Sequence, residues 1–453
     1  MRGGPTPLSE YVATVDVPEA VADSVRLFIA DTVAVGVAGG HAQDSPRFHR
    51  WASRLSGSAD SGATSWARGT RWPVDLAAHL NGIDAHVLDY DDSNGVLRLH
   101  PSVVMLPGLL ALAEQRGFTL QRVGEAYAVG YEVMAAVASG HLEGHYRRGW
   151  HVTTTIGLIG AAAACARLLG LDAAATAVTL GLCGSSVGGS RVSFGTAAKP
   201  YQVGAAAAAA VRAALAAEAG VDAGDFIDDP GLGLGPLVTG QEVAPVIPQR
   251  GAAWALITNP PKIKTLPTCF ATHHAVEAVR SLELAVAPGD IRDVEVVTSA
   301  TGLVPLIRHL PETPTQARFS MPYVLAAVLR HGTARLSDFT DGGFADRRRD
   351  PLITRIHARE ADGPAFPRWA EVRIALNSGQ ALVSRADALP GPGDQTGLEE
   401  KIADCLAFAN VTSLSAADLV DWVDMNWAHT ADKLFHVLGR ACGWQAAAVM
   451  RAR

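Results

Sequence analysis

The sequence has few of the features that disulfide-bonded, membrane-spanning or nucleic-acid-binding proteins need. Its five cysteines are scattered and form no CxxC pair, which argues against a disulfide framework and a thiolate zinc site. A net charge of −7 provides no basic field for nucleic acid or an anionic membrane. The longest clean apolar run, residues 156–166, is too short to span a bilayer, and no apolar stretch typical of a secretory signal follows Met1. We therefore expect a cytoplasmic protein without a nucleic-acid or membrane partner.

Lysine is also scarce, since only five of the 38 basic residues are lysine. Three of the five, Lys199, Lys262 and Lys264, lie in two short proline-flanked segments. An ammonium is a compact point charge whose pKa moves on burial, whereas a guanidinium is large and stays charged. Lysine in an arginine-rich chain is therefore expected where arginine would not work. Chance and overall composition explain the same numbers equally well, so both interpretations stay open.

The first half of the chain has the spacing of buried helices. An apolar fraction of 48% excludes a disordered chain, and 453 residues exceed what one hydrophobic core usually holds. Residues 8 to about 220 carry Ala, Leu and Val at helical intervals. The pattern predicts an all-helical domain with a helix from Pro18 to about residue 35 and further helices over residues 107–115, 123–138, 155–169, 173–182 and 205–219.

The pattern changes after a glycine- and proline-rich stretch at residues 229–261. Alternating apolar and polar residues then predict strands, and helical spacing recurs between them. The predicted elements are a strand at 294–297, a hairpin formed by 371–376 and 381–383, and helices at 271–283 and 321–330. A Pro-Gly-Pro-Gly linker at 390–393 precedes a return to helical spacing at Leu398. We predict a large all-helical domain of residues 1–262 and 398–453, and a smaller inserted α+β domain of residues 263–397.

Two segments of the helical half combine ionisable side chains with apolar surroundings. Leu88-Asp-Tyr-Asp-Asp-Ser-Asn is followed by His100-Pro-Ser, which makes a polar pocket plausible, although helix capping and a solvated loop explain it as well. His151 precedes a predicted helix, where the positive end of the helix dipole would favour a neutral base. A capping or hydrogen-bonded histidine is the alternative. His141 and His145 have a metal-like i, i+4 spacing, but no HExxH order supports it.

Two further segments carry the scarce lysines. Lys199 is expected at an extended position before Pro200 and ahead of a helix, where an anion could bind. Lys264, Cys269 and His273 lie near the predicted domain boundary and would line a cleft between domains. A Cys–His nucleophile pair is conceivable there, and a structural cysteine is an equal alternative.

Seven ordered motifs resemble the MmgE/PrpD family, and together they span nearly the whole chain. They are HxLDYDDS at 86–93, HPS at 100–102, GxHxTxxxG at 149–157, FGTxxKP at 194–200, KxxPxC at 264–269, ARFSMPY at 317–323 and LxxKIxDC at 398–405. The family includes 2-methylcitrate dehydratase, cis-aconitate decarboxylase and iminodisuccinate epimerase. The resemblance implies a large helical domain completed by the C-terminus, an inserted α+β domain and a homodimer, with neither a metal nor another cofactor.

The resemblance also assigns site residues between the two domains. The implied active-site positions are Asp89, Ser93, His100, His151, Lys199, Lys264 and Cys269. Further expected substrate contacts are Gln202, His273, Arg318 and Tyr323. Cys269 stands where cis-aconitate decarboxylase has histidine, and Gln202 stands where many members have histidine. The loop from Ser93 to His100 is one residue longer than in the decarboxylase.

Dehydration, decarboxylation and epimerisation of a polycarboxylate all accumulate electron density on a carbon next to a carboxylate. Lys199 and Lys264 would stabilise that charge, and His100 and His151 would move the proton, with Asp89 orienting a histidine. We therefore expect a cofactor-independent lyase, a dehydratase or a decarboxylase, acting on a small polycarboxylate. An epimerase on an iminodisuccinate-like substrate is the alternative. A non-catalytic binding protein and a metal-dependent hydrolase are less favoured.

Overall fold

The computed structural model describes residues 4–57, 62–243, 247–282, 287–389 and 395–444. Its first part is helical, as the spacing of apolar residues predicts, apart from a two-stranded ribbon. The ribbon pairs β1 (Ala63–Thr64) with β2 (Arg71–Trp72). The helices are α1 (Pro7–Thr14), α2 (Glu19–Asp23), α3 (Arg26–Gly39), α4 (Ser45–Leu55), α5 (Val74–His86), α6 (Pro101–Arg116), α7 (Leu120–Arg147), α8 (Val152–Leu169), α9 (Ala173–Leu182), α10 (Ala198–Glu218), α11 (Leu234–Thr239) and α12 (Ala255–Thr258).

A smaller unit of mixed structure follows, with a hydrophobic cluster of its own drawn from residues 266–386. Its strands form one sheet in the order β4-β3-β5-β6, with β3 and β4 parallel and the other pairs antiparallel. Its elements are α13 (His273–Arg280), β3 (Ile291–Thr298), α14 (Pro314–Ala317), α15 (Met321–His331), α16 (Asp341–Arg347), β4 (Ile356–Glu360), β5 (Ala370–Leu376) and β6 (Ala381–Ala386). The predicted hairpin is confirmed as β5 and β6.

Residues 395–444 form three helices, α17 (Gln395–Phe408), α18 (Ala416–Met425) and α19 (Asp432–Ala441). Leu398, Ile402 and Cys405 of α17 belong to the same hydrophobic cluster as the first helices, and α17 packs against α3. The fold is therefore a large helical domain with a smaller α+β domain. The domain boundaries at 262/263 and 397/398 stay a prediction, and the linker predicted at 390–393 lies outside the described residues.

Local chemistry explains where the central helices begin and end. α6 starts with Pro101, whose missing N–H costs nothing in the first turn, and ends at Gly117 in the left-handed conformation. α9 matches its predicted span because the Asp172 side chain accepts a hydrogen bond from the backbone N–H of Ala175. α8 is long and apolar enough to cross a membrane by length and composition, but 89% of this window is buried against other helices.

Three predictions of local structure were wrong. The helix expected from Pro18 is divided into α2 and α3 around Ser24 and Val25. β4 was missed, because its sequence Ile-His-Ala-Arg-Glu alternates burial at a sheet edge but carries three charged or polar residues. Lys199 is not extended: it lies in the first turn of α10, where Pro200 is tolerated because first-turn N–H groups have no partner within the helix.

Candidate active site

A cavity of about 120 Å³ opens between the helical and α+β domains. Helical-domain segments and the α+β domain both contribute to its wall. Six residues expected at the site line it: Asp89, Ser93, His100, His151, Lys199 and Cys269. A concave site between domains with convergent polar groups is typical of small-molecule enzymes.

Asp89 is a carboxylate of the cavity wall, and two lysines hold it in place. It follows the end of α5 in the left-handed conformation (φ 50°), which Asp tolerates better than most residues. Lys199 Nζ lies 2.5 Å from Oδ1, and Lys264 Nζ lies 3.4 Å from Oδ2. Burial acts to raise the pKa of Asp89, but the attraction of Lys199 and then of Lys264 outweighs it and lowers the pKa. Asp89 is therefore ionised.

The two lysines play different parts. Lys199 lines the cavity, and although burial acts to lower its pKa, Asp89 raises it above the usual value, so the ammonium is retained. Lys264 is fully buried and donates to the backbone carbonyl oxygen of Asp89 at 2.7 Å. Lys264 was expected to bind substrate, but the structure places it behind Asp89, because that carbonyl and carboxylate take up its donors.

His151 is held as a neutral base at the beginning of α8. Gln202 donates through Nε2 to the Ser193 hydroxyl at 2.9 Å, so its Oε1 accepts from His151 Nδ1 at 3.0 Å. The lone pair of the imidazole is then on Nε2, which is buried and makes no hydrogen bond within the described part of the chain. Burial first, and the Lys199 charge second, hold the pKa of His151 well below its usual value.

His100 is fixed by the acids that precede it. Its Nδ1 lies 2.8 Å from the carbonyl oxygen of Asp92 and 3.0 Å from Asp91 Oδ2. The same Asp91 oxygen accepts from His86 Nδ1 at 2.9 Å. Since Nδ1 donates in both histidines, each keeps its lone pair on Nε2. Burial acts to raise the pKa of Asp91, but His86 and His100 lower it well below its usual range.

Ser93 joins this wall to the connection between the domains. Its backbone exchanges two hydrogen bonds with Lys262, at 3.0 and 2.8 Å, and its hydroxyl donates to the Leu99 carbonyl at 3.4 Å. The strand-like pairing sets the position of Asp89 and His100 on either side. Ser93 lines the cavity and is therefore within reach of a ligand.

A metal ion fits this wall poorly. Among the described residues, His86, Asp89 and His100 could offer ligand atoms within 4.8 Å of one another. Asp89 is bonded to Lys199 and Lys264, however, so a divalent cation would have to approach two ammonium groups. This arrangement of charge suits an anion instead.

The two histidines of α7 with metal-like spacing, His141 and His145, also have other hydrogen-bond partners. The two ring nitrogens of His141 face the carbonyl oxygens of Val137 and Val243, at 2.7 and 3.1 Å. His145 Nε2 lies 2.6 Å from the Thr155 hydroxyl. Both histidines therefore stabilise helix packing and loop position.

The Cys–His nucleophile hypothesis is not supported by the geometry. Cys269 lines the cavity, but burial and then Asp89 raise the pKa of its thiol to about 11, which disfavours the thiolate. His273 Nε2 lies 3.4 Å from Thr268 Oγ1, so its ring contacts Thr268 and does not line the cavity. Burial lowers the pKa of His273 to about 3. The next residue, His274, reaches the cavity instead.

The expected contacts from the 317–323 segment are structural. Arg318 is buried and donates to the carbonyl oxygens of Leu88 and Pro267, at 2.7 and 3.1 Å. The Tyr323 hydroxyl donates to the Asp338 carbonyl at 2.8 Å. Neither side chain lines the cavity. Phe319 does so in their place.

The comparisons with known proteins agree with this architecture. The MmgE/PrpD N-terminal domain family matches residues 7–244, and the MmgE/PrpD C-terminal domain family matches residues 266–415. The chain belongs to the MmgE/PrpD family. It is 26% identical to the cis-aconitate decarboxylase of Homo sapiens over 383 residues, which cover 80% of this chain and 78% of the human protein.

Two other relatives of this MmgE/PrpD chain have similar names. The cis-aconitate decarboxylase of Mus musculus is 25% identical over 416 residues, covering 87% of this chain and 83% of the mouse protein. The cis-aconitate decarboxylase-like protein oryM of Aspergillus oryzae is 25% identical over 401 residues, covering 81% and 82%.

Several functional candidates of this MmgE/PrpD site were missed from the sequence. His86 and Asp91 lie within a recognised motif, but the sequence does not show which acid of the motif bonds to which histidine. Arg98, His274 and Arg368 also line the cavity. The lengthened loop between Ser93 and His100 was the one available signal for Arg98.

Proposed function

We propose that this protein is a lyase that removes CO2 or water from a small polycarboxylate by moving a proton next to a carboxylate. The observation that carries the proposal is the combination of the Lys199 ammonium with the neutral imidazole of His151 in one small cavity. The similarity to cis-aconitate decarboxylases supports the same class of substrate.

The charge of the cavity favours an anionic substrate. Its described lining includes Lys199 and Arg368 but only one acid, Asp89. Because the ammonium groups of Lys199 and Lys264 both face that single carboxylate, the wall retains an excess of positive charge. The carboxylate groups of a bound substrate would lose water and would accept hydrogen bonds from these fixed donors instead.

Dehydration would use the lone pair on His151 Nε2. The imidazole takes the proton from the carbon beside a carboxylate, and the electron pair spreads into that carboxylate next to Lys199. The pair then forms the double bond while hydroxide leaves and takes the proton now held by His151, which gives water and restores the neutral imidazole. His100, whose Nε2 is set by the Asp91 contact, is the second proton carrier.

Decarboxylation would need a proton donor instead. The electron pair of the breaking C–C bond stays on the carbon as CO2 leaves, and that carbon then takes one proton. The Lys199 ammonium is one donor that the cavity offers. His100 becomes a second donor only after its Nε2 has taken up a proton. Epimerisation is the second candidate function, because the neutral His151 base fits carbon deprotonation equally well.

Mass spectrometry in heavy water tests the proposal. The purified protein is incubated with unsaturated, hydroxy and imino polycarboxylates, including cis-aconitate. A decarboxylase delivers one deuteron to the carbon that lost CO2 and leaves recovered substrate unlabelled. A reversible dehydratase forms a product that is lighter by one water and labels recovered substrate at one carbon.

Other outcomes would overturn the lyase assignment. A product of unchanged mass, inverted and labelled at one carbon, would identify an epimerase. Binding without turnover or exchange would identify a binding protein. His151→Gln should abolish exchange, whereas His145→Gln, an equally buried histidine away from the cavity lining, should retain it.

We further propose that catalysis needs no metal, because Lys199 and Lys264 supply the positive charge at Asp89. Activity should survive dialysis against EDTA, and elemental analysis should find less than one zinc or iron per chain. Activity lost on chelation and restored by one added metal would contradict this proposal.

A further inference from the structure

Three long helices of the helical domain, α6, α8 and α10, begin at the cavity. His100 precedes α6, His151 precedes α8 and Lys199 lies in the first turn of α10, and all three residues line the cavity. The first N–H groups of a helix have no partner within the helix, and they form the positive end of its dipole. Each of these helix starts therefore needs acceptors from elsewhere.

The first turns of α6 and α10 have such acceptors. α6 begins with a proline, which has no N–H, and the N–H of Ser102 donates to Asp92 Oδ1 at 3.2 Å. In α10, the N–H of Ala198 donates to the Thr196 hydroxyl at 3.2 Å, and the N–H of Lys199 donates to the Thr196 carbonyl at 3.2 Å. These amides are therefore not available to a ligand.

The first turn of α8 is different. The N–H groups of Val152 and Thr153 have no acceptor among the described residues, and no side chain caps this helix. Both residues line the cavity, and both are buried, with 1% and 0% of their surface exposed. A buried N–H without a partner costs about as much free energy as a lost hydrogen bond. The two amides therefore indicate a ligand that accepts hydrogen bonds.

Two side chains beside these amides indicate a polar ligand independently of the helix start. His151 is buried, and its Nε2 makes no hydrogen bond within the described part of the chain. Its Nδ1 is bonded to Gln202, which does not line the cavity, so Nε2 lies on the cavity side of the ring. The Thr153 hydroxyl accepts from the His100 N–H at 3.2 Å, and its own proton has no acceptor among the described residues.

The charges around the start of α8 favour an anion. The Phe194 ring lies 5.0 Å from the His151 ring and 5.2 Å from Lys199 Nζ, so the ammonium and the imidazole are close to the same ring. Asp89, the one acid among the described lining residues, is already bonded to Lys199 and Lys264. A carboxylate at the start of α8 would therefore meet fixed N–H donors and a nearby ammonium.

We propose that the Val152 and Thr153 amides bind the substrate carboxylate next to the reacting carbon. Backbone donors at a helix N-terminus are fixed in place, so they need no rearrangement as charge builds up on that carboxylate. Val152 and Thr153 directly follow His151 in the chain, which puts the donors and the base at one point of the wall. The inference rests on the proposed function in taking the substrate to be a polycarboxylate.

A proline at the first position of α8 tests the Val152 amide. Proline lacks the N–H and is tolerated at this position, and His151 already has an extended conformation suited to a following proline (φ −87°, ψ 101°). Isothermal titration calorimetry compares tricarballylate binding to the wild type and to Val152→Pro. Affinity should fall by about 10-fold to 100-fold, the scale of a lost hydrogen bond to a charged group.

Ala173→Pro is the matched control, because it makes the same change at the first position of α9. Asp172 before it is also extended, and no residue of α9 is among those that line the cavity. Its affinity for tricarballylate should stay within about twofold of the wild type. Val152→Ala shortens the side chain but keeps the N–H, so it should bind at least about 10-fold more tightly than Val152→Pro.

Amide NMR tests both donors without the proline variant. In protein with isotope-labelled valine and threonine, Val152→Ala and Thr153→Ser assign the two signals by their absence. Titration of the wild type with tricarballylate should move both amide protons downfield, because each forms a hydrogen bond to a carboxylate. This measurement decides the question even if Val152→Pro fails to fold.

Three results would overturn the subsite. Equal tricarballylate affinity in the wild type and in folded Val152→Pro removes the Val152 amide from binding. Signals of Val152 and Thr153 that do not move at saturation remove both amides. An equal loss in Ala173→Pro assigns the effect to the stability of the helices.

The same experiments separate the subsite from the lyase proposal. Where turnover is found, Val152→Pro should also lower kcat by about 100-fold, the scale of one lost transition-state donor. Turnover that Val152→Pro leaves unchanged would contradict the subsite alone. Tricarballylate binding that depends on the Val152 N–H without any turnover would support the subsite and contradict only the lyase proposal. A wild type that binds no tricarballylate would contradict both.

Discussion

Two buried lysine–aspartate pairs of this protein have the same chemistry and different surroundings. Lys199 lies 2.5 Å from Asp89 at the cavity, and Lys401 of α17 lies 2.6 Å from Asp31 of α3. Lys401 and Asp31 are fully buried and do not line the cavity, and Lys401 also lies over the Tyr90 ring at 4.7 Å. The Lys401–Asp31 pair attaches α17 to α3. It lies next to Tyr90, the residue that precedes Asp91.

The number of lysines around each buried carboxylate determines whether the pKa of that carboxylate is raised or lowered. Asp92 accepts from Ser102 and, within the described residues, is bonded to no lysine: burial raises its pKa to about 7. Asp31 has one lysine, and burial still outweighs it, so the pKa of Asp31 is raised. Asp89 has two lysines, and its pKa is lowered. A buried ion pair therefore becomes a candidate site where surplus positive charge faces a cavity.

The largest expected effect is the difference in catalytic activity between variants of Lys199 and variants of Lys401. Lys199→Ala should lower kcat by at least about 100-fold, because a fixed transition-state donor is lost. Lys199→Arg should also be poor, since a guanidinium is larger than the ammonium it replaces. Lys401→Met should keep wild-type kcat per folded molecule, measured by steady-state kinetics with active-site titration. Near-full activity of Lys199→Arg would reduce Lys199 to a packing charge.

The second expected effect is a loss of folding stability when Lys401 is replaced. Lys401→Met leaves Asp31 buried without its cation and should lower the free energy of unfolding in urea by about 3–5 kcal/mol. Adding Asp31→Asn should recover at least about 1 kcal/mol, because the stranded charge is removed. The exposed Lys433→Met is the control and should change stability by less than about 0.5 kcal/mol. Equal losses in both lysine variants would contradict a structural role for Lys401.

A smaller effect is expected at Asp91, which contacts the histidines but does not line the cavity. Asp91→Asn replaces an acceptor with a group that can donate to Nδ1, so His100 would lose the tautomer that keeps its lone pair on Nε2. We expect kcat to fall by about 10-fold or more, with a changed pH profile of kcat/KM and little change in melting temperature. A fall in melting temperature without a changed pH profile would assign Asp91 to structure alone.

The smallest effect concerns pH. Since the folded pKa of Asp92 is raised to about 7 from 3.8, the unfolded chain releases this proton first, and the wild type loses stability as pH rises between those values. Asp92→Asn cannot titrate, so its stability relative to the wild type should increase between pH 4 and pH 7. Urea unfolding of both proteins at several pH values measures this difference. A difference that does not change with pH would show that Asp92 is not a protonated acid in the folded protein.

The sequence by itself determined the helical half, the β5–β6 hairpin and the segments that supply Asp89, His100, His151 and Lys199. Apolar periodicity specifies which face of an element is buried, and ionisable residues within buried segments indicate where polar groups must find partners. Only the tertiary structure decided those partners, because they come from distant parts of the chain. Lys199 bonds to Asp89 across 110 positions, and Arg318 bonds to the Leu88 carbonyl across 230.

The dependence on partners from distant parts of the chain also explains why some residues expected to contact the substrate lie away from the cavity. Lys264, Arg318 and Tyr323 are polar residues in recognised motifs, but backbone carbonyls of neighbouring segments take up their donors. Arg98 and Arg368 instead enter the wall through rings that no local pattern connects to them. A buried polar group must satisfy its hydrogen bonds wherever the packed chain offers a partner, and that choice exists only after the two domains have come together.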